Sequence, residues 1–114
     1  MPLIFSYGSL RREDVQLETF GRRLVGEPDS LPGWGATAVE VEDPGVRARF
    51  GATHDNATFT GRPESHIDGV VFEISEEELA RVDRYEVPFA YVRVAATLAS
   101  GRVAWVYHRP SPAG

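Results

Sequence analysis

Two groups of residues in this chain have the types and spacing to do chemistry. Near the N-terminus, Tyr7-Gly8-Ser9-Leu10 follows a short apolar run. A strand that ends in glycine and turns toward a helix can present backbone N–H groups to an anion, and Gly8 admits a ligand where a side chain would obstruct it. The same four residues also fit an ordinary strand-to-helix connection with Ser9 as its cap. Far along the chain, Leu79, Val82, Asp83 and Glu86 recur at helical spacing and share one helix face. A carboxylate on an apolar stripe is costly to ionise, so its pKa moves upward, toward the range where a base works near neutral pH. Glu86 is therefore a candidate proton acceptor. The competing reading leaves it at a frayed helix end, solvated or paired with a nearby arginine.

Other chemistry finds little support. The chain has no cysteine, which removes disulfides, thiolate nucleophiles and thiolate-bound metals. His54, His66 and His108 are widely spaced and form no helix-type ligand pair, so no metal is expected. Ser9 lacks a G-x-S-x-G setting and an assignable histidine partner, which argues against a serine hydrolase. Tyr91 and Arg93 alternate along a strand-like run and face one side, as packing and a structural ion pair would require. Trp34 and Trp105 read as core or rim aromatics. The net charge of −5 comes without any run of Lys or Arg that could follow a phosphate backbone, so nucleic acid is not an expected partner. No stretch approaches the roughly 20 apolar residues needed to cross a bilayer. A cytoplasmic protein is expected, with one domain over residues 1–114, monomeric or homodimeric.

The elements that must position these residues are unevenly legible. Leu3 to Tyr7 reads as a buried strand that leaves its sheet at Gly8. Arg11 to Phe20 carries a weak helical pattern that Gly21 would end. Leu31-Pro32-Gly33-Trp34-Gly35 reads as a turn, and Ala36 to Glu42 as a strand broken by Asp43-Pro44-Gly45. Val46 to Ser65 is thin in hydrophobicity and reads as a long or mobile loop, with Arg47 to Phe50 as a brief strand. Ile67 to Ile74 is a further buried strand, and Ser75-Glu76-Glu77-Glu78 matches a capping box that opens a helix. Tyr91 to Leu98 and Val103 to Tyr107 suit a hairpin turning at Ser100-Gly101-Arg102, after which Pro110 and Pro112 discourage regular structure. This order predicts a mixed α+β domain with a curled, barrel-like sheet flanked by helices.

Taken together, Y-G-S-L after the first strand, G-V-V-F-E-I leading into a capped helix that ends V-D-R-Y-E, and then Y-V-R resemble the γ-glutamylcyclotransferase-like family, in its avirulence-induced-gene-like branch. The resemblance runs in order from Ile4 to about Tyr107, with Val46 to Ser65 the least matched part. It implies a small-molecule γ-glutamyl substrate held at Tyr7, Gly8, Ser9 and Leu10, with Glu86 as the catalytic base. It also implies cyclisation to 5-oxoproline with release of the attached amine, needing no cofactor or metal. A non-catalytic module that binds a small ligand in the same cavity is the alternative. One departure stands out: Val87-Pro88 follows Glu86, where the family usually has glycine, so the leaving-group side of the pocket is expected to differ.

Overall fold

Ile4 and Phe5 are both almost fully buried, one on each face of the first strand, and this places that strand in the middle of a sheet. The computed structural model describes residues 1–110. The chain runs β1 (Leu3–Ser6), a 3-10 turn (Ser9–Arg11), α1 (Glu13–Phe20), β2 (Gly26–Pro32) and β3 (Trp34–Glu40). It continues through α2 (Pro44–Phe50), β4 (Thr53–Phe59), β5 (His66–Glu73) and α3 (Glu76–Glu86). A second 3-10 turn (Val87–Phe89), β6 (Val92–Thr97) and β7 (Val103–His108) complete it.

Five strands form one mixed sheet in the order β2-β5-β1-β7-β6, in which β1 is antiparallel to β5 and parallel to β7. β3 and β4 form a separate antiparallel ribbon. α1 and α3 cover one face of the larger sheet, over a core that includes Ile4, Val15, Phe72, Ile74, Leu79 and Val82. The other face packs Phe5, Leu31, Val71 and Val106 with Ala57 of the ribbon. The sheet curls until its edges meet without closing. The Ala99 N–H donates to the Ser30 carbonyl at 2.8 Å, the Ser100 hydroxyl donates to Asp29 at 2.5 Å, and Arg102 pairs with Glu27. The described residues thus form one α+β domain, and none of their helices is long and apolar enough to cross a membrane.

Several expectations need correcting. Val46 to Ser65 is not one long loop: it contains most of α2, all of β4 and no strand at Arg47 to Phe50. The strand expected from Ala36 to Glu42 does end before Asp43-Pro44-Gly45, but Pro44 then opens α2, because its fixed φ suits the first helical turn and Asp43 caps that turn by accepting from the Val46 N–H at 3.0 Å. The turn expected from Leu31 to Gly35 shrinks to Gly33, whose φ of +83° joins β2 directly to β3. β2 escapes sequence patterning because it is an edge strand, where Pro28 and Pro32 are tolerated. The helix expected from Arg11 starts at Glu13, since extended backbone at Arg12 separates it from the first 3-10 turn. β5, α3 and the β6–β7 hairpin fall where the pattern puts them. The expectation at Pro112 lies outside the described residues.

Candidate active site

β1 delivers the Tyr7–Leu10 turn to the mouth of a cleft. Gly8 leads into the 3-10 turn, whose first bond runs from the Arg11 N–H to the Gly8 carbonyl at 3.2 Å. The N–H groups of Ser9 and Leu10 precede that bond and so have no acceptor within the turn. A Cβ on Gly8 would meet nothing within 4 Å, so this side of the turn faces open space. The Tyr7 hydroxyl donates to the Tyr107 carbonyl at 2.6 Å and accepts from the Ala57 N–H at 3.0 Å, which ties the ribbon to the main sheet. Burial pushes its phenol pKa up. The Leu10 side chain is core. Ser9 makes no capping bond; its hydroxyl meets the Tyr85 hydroxyl at 2.6 Å and so joins the turn to α3.

α3 brings Glu86 to the same cleft. Its start is fixed by a complete capping box, in which the Ser75 hydroxyl accepts from the Glu78 N–H at 3.1 Å and Glu78 accepts from the Ser75 N–H at 2.9 Å. Leu79 and Val82 bury in the core, and Glu86, the last helical residue on that face, is only 7% exposed. Among the described residues its carboxylate has no hydrogen bond or ion pair. Burial alone pushes its pKa up to about 8. The solvated or arginine-paired alternative therefore does not hold.

Gly8, Ser9, Leu10 and Glu86 line a single cleft with about 550 Å³ of empty space, counting its open mouth. The aromatic walls are Tyr7, Phe50, Phe89, Tyr91 and Tyr107. The Tyr91 hydroxyl donates to the Asp55 carbonyl at 2.7 Å. The Tyr107 hydroxyl donates to Asp83 at 2.6 Å. Asp83 also lies 3.4 Å from Arg93, whose guanidinium stacks over Trp105, so Arg93 supports the wall from behind. His54 stands edge-on to Phe89 and Tyr91, with both ring nitrogens buried and without a hydrogen-bond partner among the described residues. Burial, helped by the charge of Arg109, lowers its pKa and keeps the ring neutral.

Phe50, His54, Asp55 and Phe89 escaped the sequence reading. The first three sit on α2 and β4, where hydrophobic period is weak, and only the unusual Val87-Pro88 pointed toward Phe89. Among the described residues, no group of three or more histidines and carboxylates gathers as a metal site.

Residues 4–113 match the model of the family described as gamma-glutamyl cyclotransferase, AIG2-like. No curated protein matches the chain in sequence. Among solved structures, one from Arabidopsis thaliana is 18% identical with a TM-score of 0.75, covering 99% of this chain and 71% of that one. A γ-glutamyl cyclotransferase is 15% identical with a TM-score of 0.74, covering 96% of this chain and 66% of its own length. An uncharacterised protein from Pyrococcus horikoshii is 18% identical with a TM-score of 0.64, covering 98% and 80%. At such identities these structures share the fold, and it is the family model, matched over nearly the whole sequence, that decides membership: the chain belongs to the AIG2-like γ-glutamyl cyclotransferase family.

Proposed function

We propose that this protein cyclises a γ-glutamyl amine or peptide to 5-oxoproline and releases the attached amine. The observation that carries this reading is the buried, unpaired Glu86 carboxyl opening onto the same cleft as the Tyr7–Leu10 turn. The substrate supplies its own nucleophile. Its α-ammonium gives a proton to the Glu86 carboxylate, the freed amine attacks the γ-carbonyl carbon, and the bond from that carbon to the departing nitrogen breaks. The α-nitrogen loses two protons overall and the departing nitrogen gains two, so one carboxyl group can carry them from one to the other. Burial moves the Glu86 pKa up toward the range of an amine, which lowers the free-energy cost of this transfer. The N–H groups of Ser9 and Leu10, which have no acceptor within the turn, suit the substrate's α-carboxylate, and holding both ends of the chain brings the amine against the carbonyl.

The test is Glu86→Gln, which keeps the side chain's shape and removes its proton-accepting role. With a panel of γ-glutamyl compounds and 5-oxoproline as the readout, kcat should fall by about 10²- to 10⁴-fold while binding changes less. Wild-type kcat should decline as pH falls through the Glu86 pKa in the complex, and the variant's residual rate should lack that limb. A variant that makes 5-oxoproline near the wild-type rate overturns the mechanism.

A further inference from the structure

α2 differs from the other two α-helices in that none of its side chains is buried. α1 buries Val15, Gln16 and Phe20, and α3 buries Leu79, Val82 and Glu86, so the core holds both of those. α2 instead projects from the ribbon as an excursion with a closed stem. The Val41 N–H donates to the Ala52 carbonyl at 2.9 Å across that stem, and Arg47 folds back to donate to the Val41 carbonyl at 3.0 Å. Gly51 joins the helix to β4 at a φ of +100°, a backbone conformation that side chains rarely adopt, and a Cβ there would meet nothing within 4 Å. The stem is fixed, and the space around its Gly51 limb is open.

Among the described residues, every ion pair and side-chain hydrogen bond that ties α2 to the molecule beyond this stem is made by Arg49. Its guanidinium lies 2.7 Å from Glu18 and 3.4 Å from Asp14, both exposed on α1, and Asp14 is shared with Arg12. The next residue, Phe50, is half-buried and lines the cleft that holds Glu86. Its ring stands 6.1 Å from that of Phe89, and the guanidinium groups of Arg12 and Arg49 lie over it at 5.1 and 4.9 Å. α2 therefore meets α1 through exposed charges, contacts that are individually weak and are screened by salt. A helix whose last residue lines the cleft, with a fixed stem and a weak outer fastening, is built to open.

We infer that α2 is a lid on the cleft, hinged at its stem and clasped to α1 by Arg49, and that it swings away from α1 to let a ligand reach Glu86. Opening withdraws Phe50 from the cleft wall and leaves the larger sheet, α3 and the Tyr7–Leu10 turn in place. The lid goes beyond the cyclisation reading, and one arm of its test uses that reaction as a readout.

The chain has no cysteine, so introduced thiols are unique. Spin labels on Ala48→Cys in α2 and Ala80→Cys in α3, both exposed positions, should report one main distance at low salt and a minor longer one. Adding Arg49→Gln, or raising the salt without it, should increase the longer population about threefold. A single distance that neither change moves overturns the lid. Access is tested by joining Arg49→Cys to Glu18→Cys with a short, reducible bis-thiosulfonate reagent, which replaces the clasp by a covalent one. The bridged protein should stop forming 5-oxoproline from the γ-glutamyl panel and recover on reduction. Full activity while bridged, or a loss that reduction does not reverse, overturns the lid's control of access. If no γ-glutamyl compound yields 5-oxoproline with or without the bridge, the cyclisation reading fails and the two distance populations alone decide the lid.

Discussion

Glu86 is a carboxylate that folding disfavours in its charged form. Its pKa rises from an ordinary 4.5 to about 8 on burial, so the folded state holds its proton where the unfolded chain has released it. Stability from this source is full below pH 4.5 and is lost as pH rises through about 8. Relative to Glu86→Gln, the wild type should lose up to about 1.4 kcal/mol per pH unit across that window. Thermal melts of both proteins between pH 4 and 9 check this, and parallel pH profiles would mean that the carboxyl is solvated in solution. The same burial that weakens the fold in alkali brings the proton affinity of this residue toward that of an amine. Its neighbour on the face, Asp83, is engaged by Tyr107 and Arg93 and supports the wall instead.

α3 presents Glu86 from its last residue, so whatever fixes its first turn also fixes where Glu86 stands. The capping box does this, and Arg22 clamps the same Glu78 through two hydrogen bonds of 2.9 Å. Those bonds, the Arg22 ones foremost, hold the Glu78 pKa down at about 2. Its contribution is present above pH 4.5 and is lost as pH falls toward 2. Ser75→Ala should cost about 1 kcal/mol, a drop of roughly 4 °C in Tm. Glu78→Gln should flatten the acid limb of the melting curve, and an acid limb unchanged in that variant would assign it to other carboxylates. The helix is also the most readable element, because cap and apolar spacing act within a few residues of each other. β2 and β4 are unreadable for the opposite reason. β4 buries only Asn56 and Ala57, and its place is set by the Tyr7 hydroxyl and by Asn56 bonding the Arg109 backbone, partners fifty or more residues away. Site residues divide likewise: Glu86 and the Tyr7–Leu10 turn are legible from local pattern and motif, whereas His54 and Asp55 ride on an element that tertiary contacts define.

At the scale of the whole molecule, the curled sheet has a seam where β2 approaches the β6–β7 hairpin. Its ion pair between Arg102 and Glu27 is exposed and worth little by itself, while Asp29 accepts from both the hydroxyl and the N–H of Ser100. Asp29→Ala should therefore speed amide hydrogen exchange at Ala99 by roughly fivefold and leave the central Val71 amide protected. Unchanged exchange at Ala99 would show that the seam does not depend on this carboxylate. The site itself is assembled from two bodies. Glu86 and the Tyr7–Leu10 turn stand on the larger sheet and its helix, whereas Phe50, His54 and Asp55 belong to the stretch from β3 to β4, joined through Gly33 at one end and the Tyr7 hydroxyl in the middle. This division bears on heredity. On the proposed reading, substitutions from β3 to β4 would alter what the cleft accepts and leave Glu86 and the Tyr7–Leu10 turn as they are, so a lineage could change diet without relearning the reaction.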